Sequence, residues 1–276
     1  MLNRAEIIQA VVNALNARTY LEIGVAHAET LLRVRAATRI GIDPARPSPN
    51  IVHAATGVLS DALNFPGARF VLDVGVNAAD SFMTVTNLNP PGPRSQQSLK
   101  YFQMTSDEFF EQHAREVIAH RGIDVAFVDG LHEWRQAVRD VENCLQYLND
   151  GGVIVMHDCS PNRAIVATPY SELEQARKLP EWDGTWTGDV DRAVLWLRSQ
   201  RCDLEVQVLD CDWGVGLVRR AETRKPLQLD PNRISSFSYT ELAANRRELL
   251  NLRAPETLAE FVCELSPIGT AEPAAL

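Results

Sequence analysis

Short apolar runs alternate along this chain with stretches of helical periodicity, and no other feature restricts its fold so strongly. Val125-Ala126-Phe127-Val128 and Val153-Ile154-Val155-Met156 are unbroken apolar runs, each followed by a polar residue, Asp129 and His157. A strand without polar alternation is buried on both faces, the condition of a parallel sheet covered by helices on each side. Between these runs Trp134, Val138, Val141, Leu145 and Leu148 recur at 4-3-4-3 spacing, which predicts a helix stopped by Asn149-Asp150-Gly151-Gly152. The expected fold class is therefore α/β, with a doubly wound, mainly parallel sheet.

The same pattern extends in both directions. Ile7, Ile8, Val11, Val12 and Leu15 predict a helix over about 4–17, ahead of strands at 20–24 and 39–43. From 44 to 98 the order breaks down around Pro47, Pro49, Pro66, Pro90, Pro91 and Pro93, with one apolar strand candidate at 70–76. An insertion of that length reads as a lid or acceptor-binding element. Beyond it come a strand at 101–104, a helix over 107–119 and a closing antiparallel pair at 204–209 and 214–219. We divide the chain into a catalytic domain, 1–220, and a C-terminal helical extension, 221–276. The extension's helix, 238–252, is capped by the Ser238 hydroxyl and carries Leu242, Leu249, Leu250 and Leu252. That leucine face suits either its own domain or a second subunit, so a homodimer stays open.

Composition narrows the function classes. Lys and Arg total 27 against 36 Asp and Glu, a net charge of -9 that argues against a nucleic-acid partner. No run approaches the roughly 20 apolar residues of a membrane span, and the start is amphipathic, so a cytoplasmic protein is expected. Five cysteines without a CxxC pair read as reduced thiols.

In open α/β sheets ligands bind beyond the carboxyl ends of the strands. The first such end is Glu22-Ile23-Gly24-Val25-Ala26-His27-Ala28, an acidic residue followed by a glycine turn. Asp43 ends the next strand, where a carboxylate can accept the hydroxyls of an adenosine ribose. Dinucleotides use the same pair, but the turn lacks GxGxxG, and an acidic opening suits the cationic sulfonium of S-adenosylmethionine (SAM) better than a pyrophosphate. Asp73-Val74-Gly75 repeats the acidic-glycine pattern without a following strand that ends in Asp at suitable spacing, and is set aside. A second group, Asp129, His132, His157 and Asp158, follows two strands expected to be neighbours. Such carboxylates can hold a divalent cation such as Mg²⁺ that lowers the pKa of an acceptor hydroxyl, and a nearby imidazole can take its proton. His132 is the first candidate for that base and His157 the second. Trp182 and Trp186 suit either stacking on a sugar ring or packing as a lid.

Taken as a series, Tyr20-Leu21-Glu22-Ile23-Gly24-Val25, Ile42-Asp43-Pro44, Met104-Thr105-Ser106-Asp107-Glu108-Phe109-Phe110, Phe127-Val128-Asp129-Gly130-Leu131-His132 and Gly151-Gly152-Val153-Ile154-Val155-Met156-His157-Asp158-Cys159 resemble the class I SAM-dependent methyltransferases of the methyltransferase-24 group. The segments Trp186-Thr187-Gly188-Asp189-Val190 and Asp212-Trp213-Gly214-Val215-Gly216 are similar to family segments flanking the last strands. The resemblance implies a seven-stranded Rossmann-like sheet. It places Gly24 and its loop, Val25 included, at the methionine part of the cofactor, Asp43 at the ribose, and Ser106 with Asp107 at the adenine edge; Glu22, suited to the cofactor's amino group, and Asp129 complete the cofactor-binding candidates. Related macrocin and mycinamicin sugar O-methyltransferases imply a metal at Asp129 and Asp158 and a base at His132. His157 stands where those relatives carry an acidic ligand. The expected activity is thus methyl transfer from SAM to a hydroxyl of a sugar-like or natural-product small molecule, assisted by Mg²⁺ or another divalent cation bound by Asp129, His157 and Asp158. Three alternatives stay beside it: a metal-independent methyltransferase, an iron-dependent hydroxylase-like enzyme on the same fold, and a non-catalytic SAM-binding protein.

Overall fold

Strands form where the apolar runs lie: β1 (Thr19–Ile23), β2 (Thr38–Ile42), β3 (Phe70–Val76), β4 (Ser81–Asn87), β5 (Gln97–Gln103), β6 (Ile123–Val128), β7 (Leu148–Met156), β8 (Leu204–Leu209), β9 (Val215–Arg220) and β10 (Leu252–Arg253). The computed structural model describes residues 2–46, 49, 70–76, 81–87, 97–223 and 225–268, with 70–76, 81–87 and 97 described by their backbone alone. Within these residues the strands join in one sheet, in the order β10-β8-β9-β7-β6-β1-β2-β5-β4-β3.

The central strands β5, β2, β1, β6 and β7 run parallel. On one side β9 is antiparallel to both β7 and β8. This is the doubly wound α/β arrangement expected, with the strand order reversing between β1 and β6, the point beyond whose carboxyl ends ligands bind in sheets of this kind. The seven expected strands are β5, β2, β1, β6, β7, β9 and β8, but the sheet is wider than that. The 44–98 segment adds β3 and β4, antiparallel to each other and to β5, and β10 pairs with β8. Asp73 lies inside β3 opposite Thr84, at the far edge of the sheet. Apart from residues 44–46 and 49 and the start of β5, the remainder of 44–98, and with it most of the expected lid, lies outside the described residues. Another difference concerns 149–152, expected as a turn: β7 starts at Leu148, straight from the preceding helix, and its register against β6 shifts between Ile123 and Val125.

Alternating side chains send two sets of apolar groups to opposite faces. Leu21, Ile23, Ile40, Ile42, Ala126, Val128, Ile154 and Met156 meet helices α3 (Ser106–Gln112), α5 (Trp134–Tyr147) and α7 (Val190–Gln200). Tyr20, Val125, Phe127, Val153 and Val155 meet α1 (Arg4–Leu15), α2 (Glu29–Arg33) and α10 (Leu258–Cys263). Helix α1 starts on a capping box in which Asn3 and Glu6 bond each other's backbone amides, and it ends on Asn16 in the left-handed region. Its Ile7, Ile8, Val11 and Leu15 are fully buried, each stabilising the fold by about 1.5–3 kcal/mol relative to exposure. The helix expected over 107–119 breaks at His113 into α3 and α4 (Ala114–Val117).

The C-terminal segment is built into the same core. Ser238 caps α9 (Tyr239–Leu249) through a capping box with Glu241. Leu242 and Leu250 are fully buried with Ile234 and Phe237 in the α5/α7 core, so the leucine face left open above is covered by the chain's own domain. Helix α10 packs on α1, and the Ile268 N–H bonds the Leu15 carbonyl at 2.8 Å, bringing the two ends of the described chain together. Among the described residues no helix is long and apolar enough to cross a membrane, and all five cysteines are free.

Candidate active site

The turn after β1 lies against the end of β6. Gly24 has φ +84°, and a Cβ there would sit 1.9 Å from the Asp129 carbonyl oxygen, so glycine alone permits this approach. Ala26 and Ala28 follow at φ +43° and +63°, conformations uncommon for residues with a Cβ. Asp43 stabilises this shape: its Oδ2 accepts the N–H groups of Val25 and Ala26, both at 2.8 Å, and its Oδ1 that of Ala45 at 2.7 Å. The carboxylate expected at the ribose thus first serves the loop's own backbone, which leaves about one of its four lone-pair positions for a ligand.

Glu22 lies beneath this turn, 1% exposed, and receives the Tyr20 hydroxyl at 2.5 Å. Burial pushes its carboxyl up to about 8, against the opposing hydrogen bond from Tyr20. A buried carboxyl this reluctant to ionise gains from a cation beside it, which fits a sulfonium or ammonium ligand.

Ser106 and Asp107 open α3. The Gln136 side-chain amide donates to Ser106 Oγ at 3.3 Å, Asp107 Oδ1 at 3.1 Å and Asp140 Oδ1 at 3.1 Å, while Arg139 pairs with Asp107 at 2.6 Å. Asp140, not anticipated from the sequence, is 1% exposed, and burial raises its carboxyl to about 6. It connects Ser106 to the cluster after β6 and β7, because it lines the same small cavity as Asp129, His132 and His157, about 10 Å³ in volume. That is room for one water or one ion. A wider groove of about 290 Å³ lies between α3 and α5 and shares only Asp107 with the predicted site residues.

The ends of β6 and β7 bring all four predicted residues together. Asp129 Oδ1 lies 3.3 Å from both His132 Nε2 and His157 Nδ1. The Asp158 carboxylate lies 3.2 Å from His132 Nδ1 and from His157 Nδ1. His132 and Asp158 both hold φ +58°, a strain that clusters at functional sites. Burial alone would lower both imidazoles, but the carboxylates outweigh it: His132 is raised, and His157, facing Asp129, Asp158 and Asp212, is raised well above its ordinary value. Asp129 is correspondingly held below the usual carboxylate range by the two imidazoles, in spite of its burial.

These short separations are poor hydrogen bonds. Asp129 Oδ1, His132 Nδ1 and His157 Nε2 are buried without a hydrogen-bond partner, as is Arg4 Nε nearby. Nitrogen and oxygen atoms about 3.2 Å apart that do not point at each other are spaced as adjacent ligands of one ion, since neighbouring ligands at about 2.1–2.3 Å from a metal stand roughly 3 Å apart. Asp129, His132 and Asp158 offer ligand atoms all within 4.8 Å of one another. His157 Nδ1, 3.3 and 3.2 Å from the same two carboxylates, offers a second imidazole, and with either one the donor set fits a divalent cation.

Segment 186–190 lies over His132. The Trp186 ring stacks on the imidazole at 5.1 Å and 28°, with its Nε1 fixed to the Thr168 carbonyl at 2.7 Å. A Cβ on Gly188 would stand 1.8 Å from the His132 carbonyl oxygen, and Asp189 accepts the Trp134 amide at 2.9 Å. Trp186 thus packs on the site from above, and Trp182 is half-buried. The sequence did not single out Arg4, and it offered Asp212 only as part of a family-like segment, with no role in the site. Arg4 lies 4.0 Å from Asp129, and Asp212 lies 3.6 Å from His157.

The doubly wound sheet, the buried carboxyl under its first turn and the cluster of carboxylates and imidazoles one strand away are compatible with the methyltransferase class of enzymes, to which a family match assigns the chain. The family model described as "Methyltransferase domain" matches residues 21–159, just over half of the chain, so the chain belongs to that family and is a SAM-dependent methyltransferase. No curated protein matches the sequence significantly. Solved structures of similar backbone include the O-methyltransferase TomG of Streptomyces achromogenes, involved in tomaymycin synthesis and solved with SAM (13% identity, 79% of each chain, TM-score 0.45). Others are an O-methyltransferase of Bacillus cereus with S-adenosylhomocysteine (SAH; 11%, 79% of this chain and 80% of that one, 0.47) and the methyltransferase PaMTH1 of Podospora anserina, bound to SAH (14%, 80% of each, 0.42).

Proposed function

We propose that this enzyme transfers the methyl group of SAM to a hydroxyl oxygen of a small sugar-like or natural-product acceptor, with a divalent cation and a histidine base. The reading is carried by the convergence of Asp129, His132, His157 and Asp158 on one another with buried atoms that find no hydrogen-bond partner. His157 Nδ1 faces both carboxylates from the deeper position, its side chain 6% exposed, and is assigned as the third ligand beside Asp129 and Asp158. His132, 22% exposed, stands nearer the surface and is assigned as the base.

SAM supplies an electrophilic methyl group. A divalent cation, when bound, would supply Lewis acidity toward the acceptor hydroxyl and offset the neighbouring carboxylates, whose charge raises the His132 imidazole. The chain's own residues do the rest. Gly24 lets the turn close on Asp129, Glu22 balances the cofactor's positive charge, and Ser106 faces the adenine edge. His132 takes the hydroxyl proton as the oxygen approaches, so that positioning and deprotonation account for the protein's share of the reaction. An imidazole in the ligand set widens the choice of metal from Mg²⁺ to Mn²⁺ and other first-row ions.

The test is calorimetric titration with SAM and SAH, with and without Mg²⁺ or Mn²⁺, alongside SAH release from a panel of diol-bearing acceptors. We expect micromolar-range SAH binding, turnover that EDTA abolishes, and loss of the metal effect in Asp129→Ala. Turnover that survives EDTA would instead make His132 a base acting without metal, and absence of SAM or SAH binding by the folded protein would refute the reading.

A further inference from the structure

We propose that Asp212 is a positioning residue for the His157 imidazole, presenting Nδ1 of that ring to Asp129 and Asp158. The inference rests on the reading above, in which His157 is a cation ligand.

Asp212 lies in the turn between β8 and β9. It, Trp213 and Gly214 have φ of +45°, +62° and +88°, three successive residues in the left-handed region, of which two carry a Cβ. Such a run persists only where the surroundings over-determine it. Here the turn is bonded to the chain immediately after Asp158: Cys159 N–H donates to the Gly214 carbonyl at 3.0 Å and Ser160 N–H to the Trp213 carbonyl at 2.8 Å. A Cβ on Gly214 would lie 2.3 Å from Ser160 Cβ, so the contact demands glycine there.

The carboxylate is fixed from the other side by α1. Its Oδ2 accepts the Arg4 backbone N–H at 2.8 Å and lies 3.4 Å from the Arg4 guanidinium. That leaves Oδ1 facing His157 Nε2 at 3.6 Å, longer than a formed hydrogen bond. His157 Nε2 is itself buried with no hydrogen-bond partner, and Asp212 is the carboxylate on that side of the ring. On the opposite side, Nδ1 meets Asp129 and Asp158 at 3.3 and 3.2 Å. An imidazole with a carboxylate at one nitrogen and a ligand position at the other is the arrangement that orients metal-binding histidines, and losing the outer carboxylate commonly weakens metal binding about 10- to 100-fold.

Mn²⁺ is the probe, with free ion read by electron paramagnetic resonance and SAH affinity measured by calorimetry on the same full-length preparations. Asp212→Asn, nearly isosteric, and Asp212→Ala should each weaken Mn²⁺ binding about tenfold or more, with SAH affinity within about twofold of wild type. Unchanged Mn²⁺ affinity in both variants overturns the inference and leaves the metal reading intact. Equal loss of Mn²⁺ and SAH also overturns it, because Asp212 would then support the whole pocket. A wild-type protein that binds SAH and no Mn²⁺ removes the metal reading, and this inference with it.

Discussion

Glu22 illustrates how a single buried carboxyl couples protonation to both stability and binding. Its folded-state value near 8 lies above the ordinary carboxylate value, so the folded protein holds a proton there that the unfolded chain has released. The contribution of Glu22 to stability is therefore full in acid and is lost as pH rises through about 8. Glu22→Gln, which cannot ionise, should match wild type near pH 5 and melt at a higher temperature by several degrees at pH 8, measured by circular dichroism. Cofactor binding has the opposite sign. A cation beside Glu22 favours the ionised form, so SAM affinity should rise with pH up to about 8 with release of a proton, detected by calorimetry in buffers of different ionisation enthalpy. A flat profile would separate Glu22 from the cofactor's charge. The adjacent Asp43 shows what spacing cannot reveal: its position at a strand end was readable, whereas its bonds to Val25 and Ala26 depend on a turn with positive φ at alanines.

Elements were legible in proportion to their burial. The runs at 125–128 and 153–156 are β6 and the buried end of β7 because strands covered on both faces need apolar side chains throughout. Asp129, His132, His157 and Asp158 could be found because they follow those runs directly. Strand β4, with its alternating Thr84 and Thr86, and the two-residue β10 have no such signature. Arg4, and the place of Asp212 beside the site, were invisible because residues 208 positions apart meet only through the fold. The covering segment 186–190 behaves as one element, closed on His132 at Gly188. Gly188→Ala should add about 1–2 kcal/mol of backbone strain as well as a clash with the His132 carbonyl. We expect it to lift Trp186 from the imidazole, lowering kcat about tenfold or more with SAH affinity retained; the displaced ring would show in tryptophan fluorescence.

At the scale of the molecule, the sheet and its two apolar layers form one unit that the C-terminal segment completes. A chain ending at 230 would lose Ile234, Phe237, Leu242 and Leu250, all at most 7% exposed. Removing buried groups of this kind costs about 2–5 kcal/mol each, against a typical total of about 5–15 kcal/mol. The truncated protein should be insoluble or lack a cooperative melting transition. The pairing of α1 with α10 also has a consequence for biosynthesis. Helix α1 leaves the ribosome well before α10, and Leu15 receives the Ile268 amide only once residue 268 has been translated. Partial chains that stop short of α10 would therefore display the uncovered rim of α1 to chaperones until that helix is made.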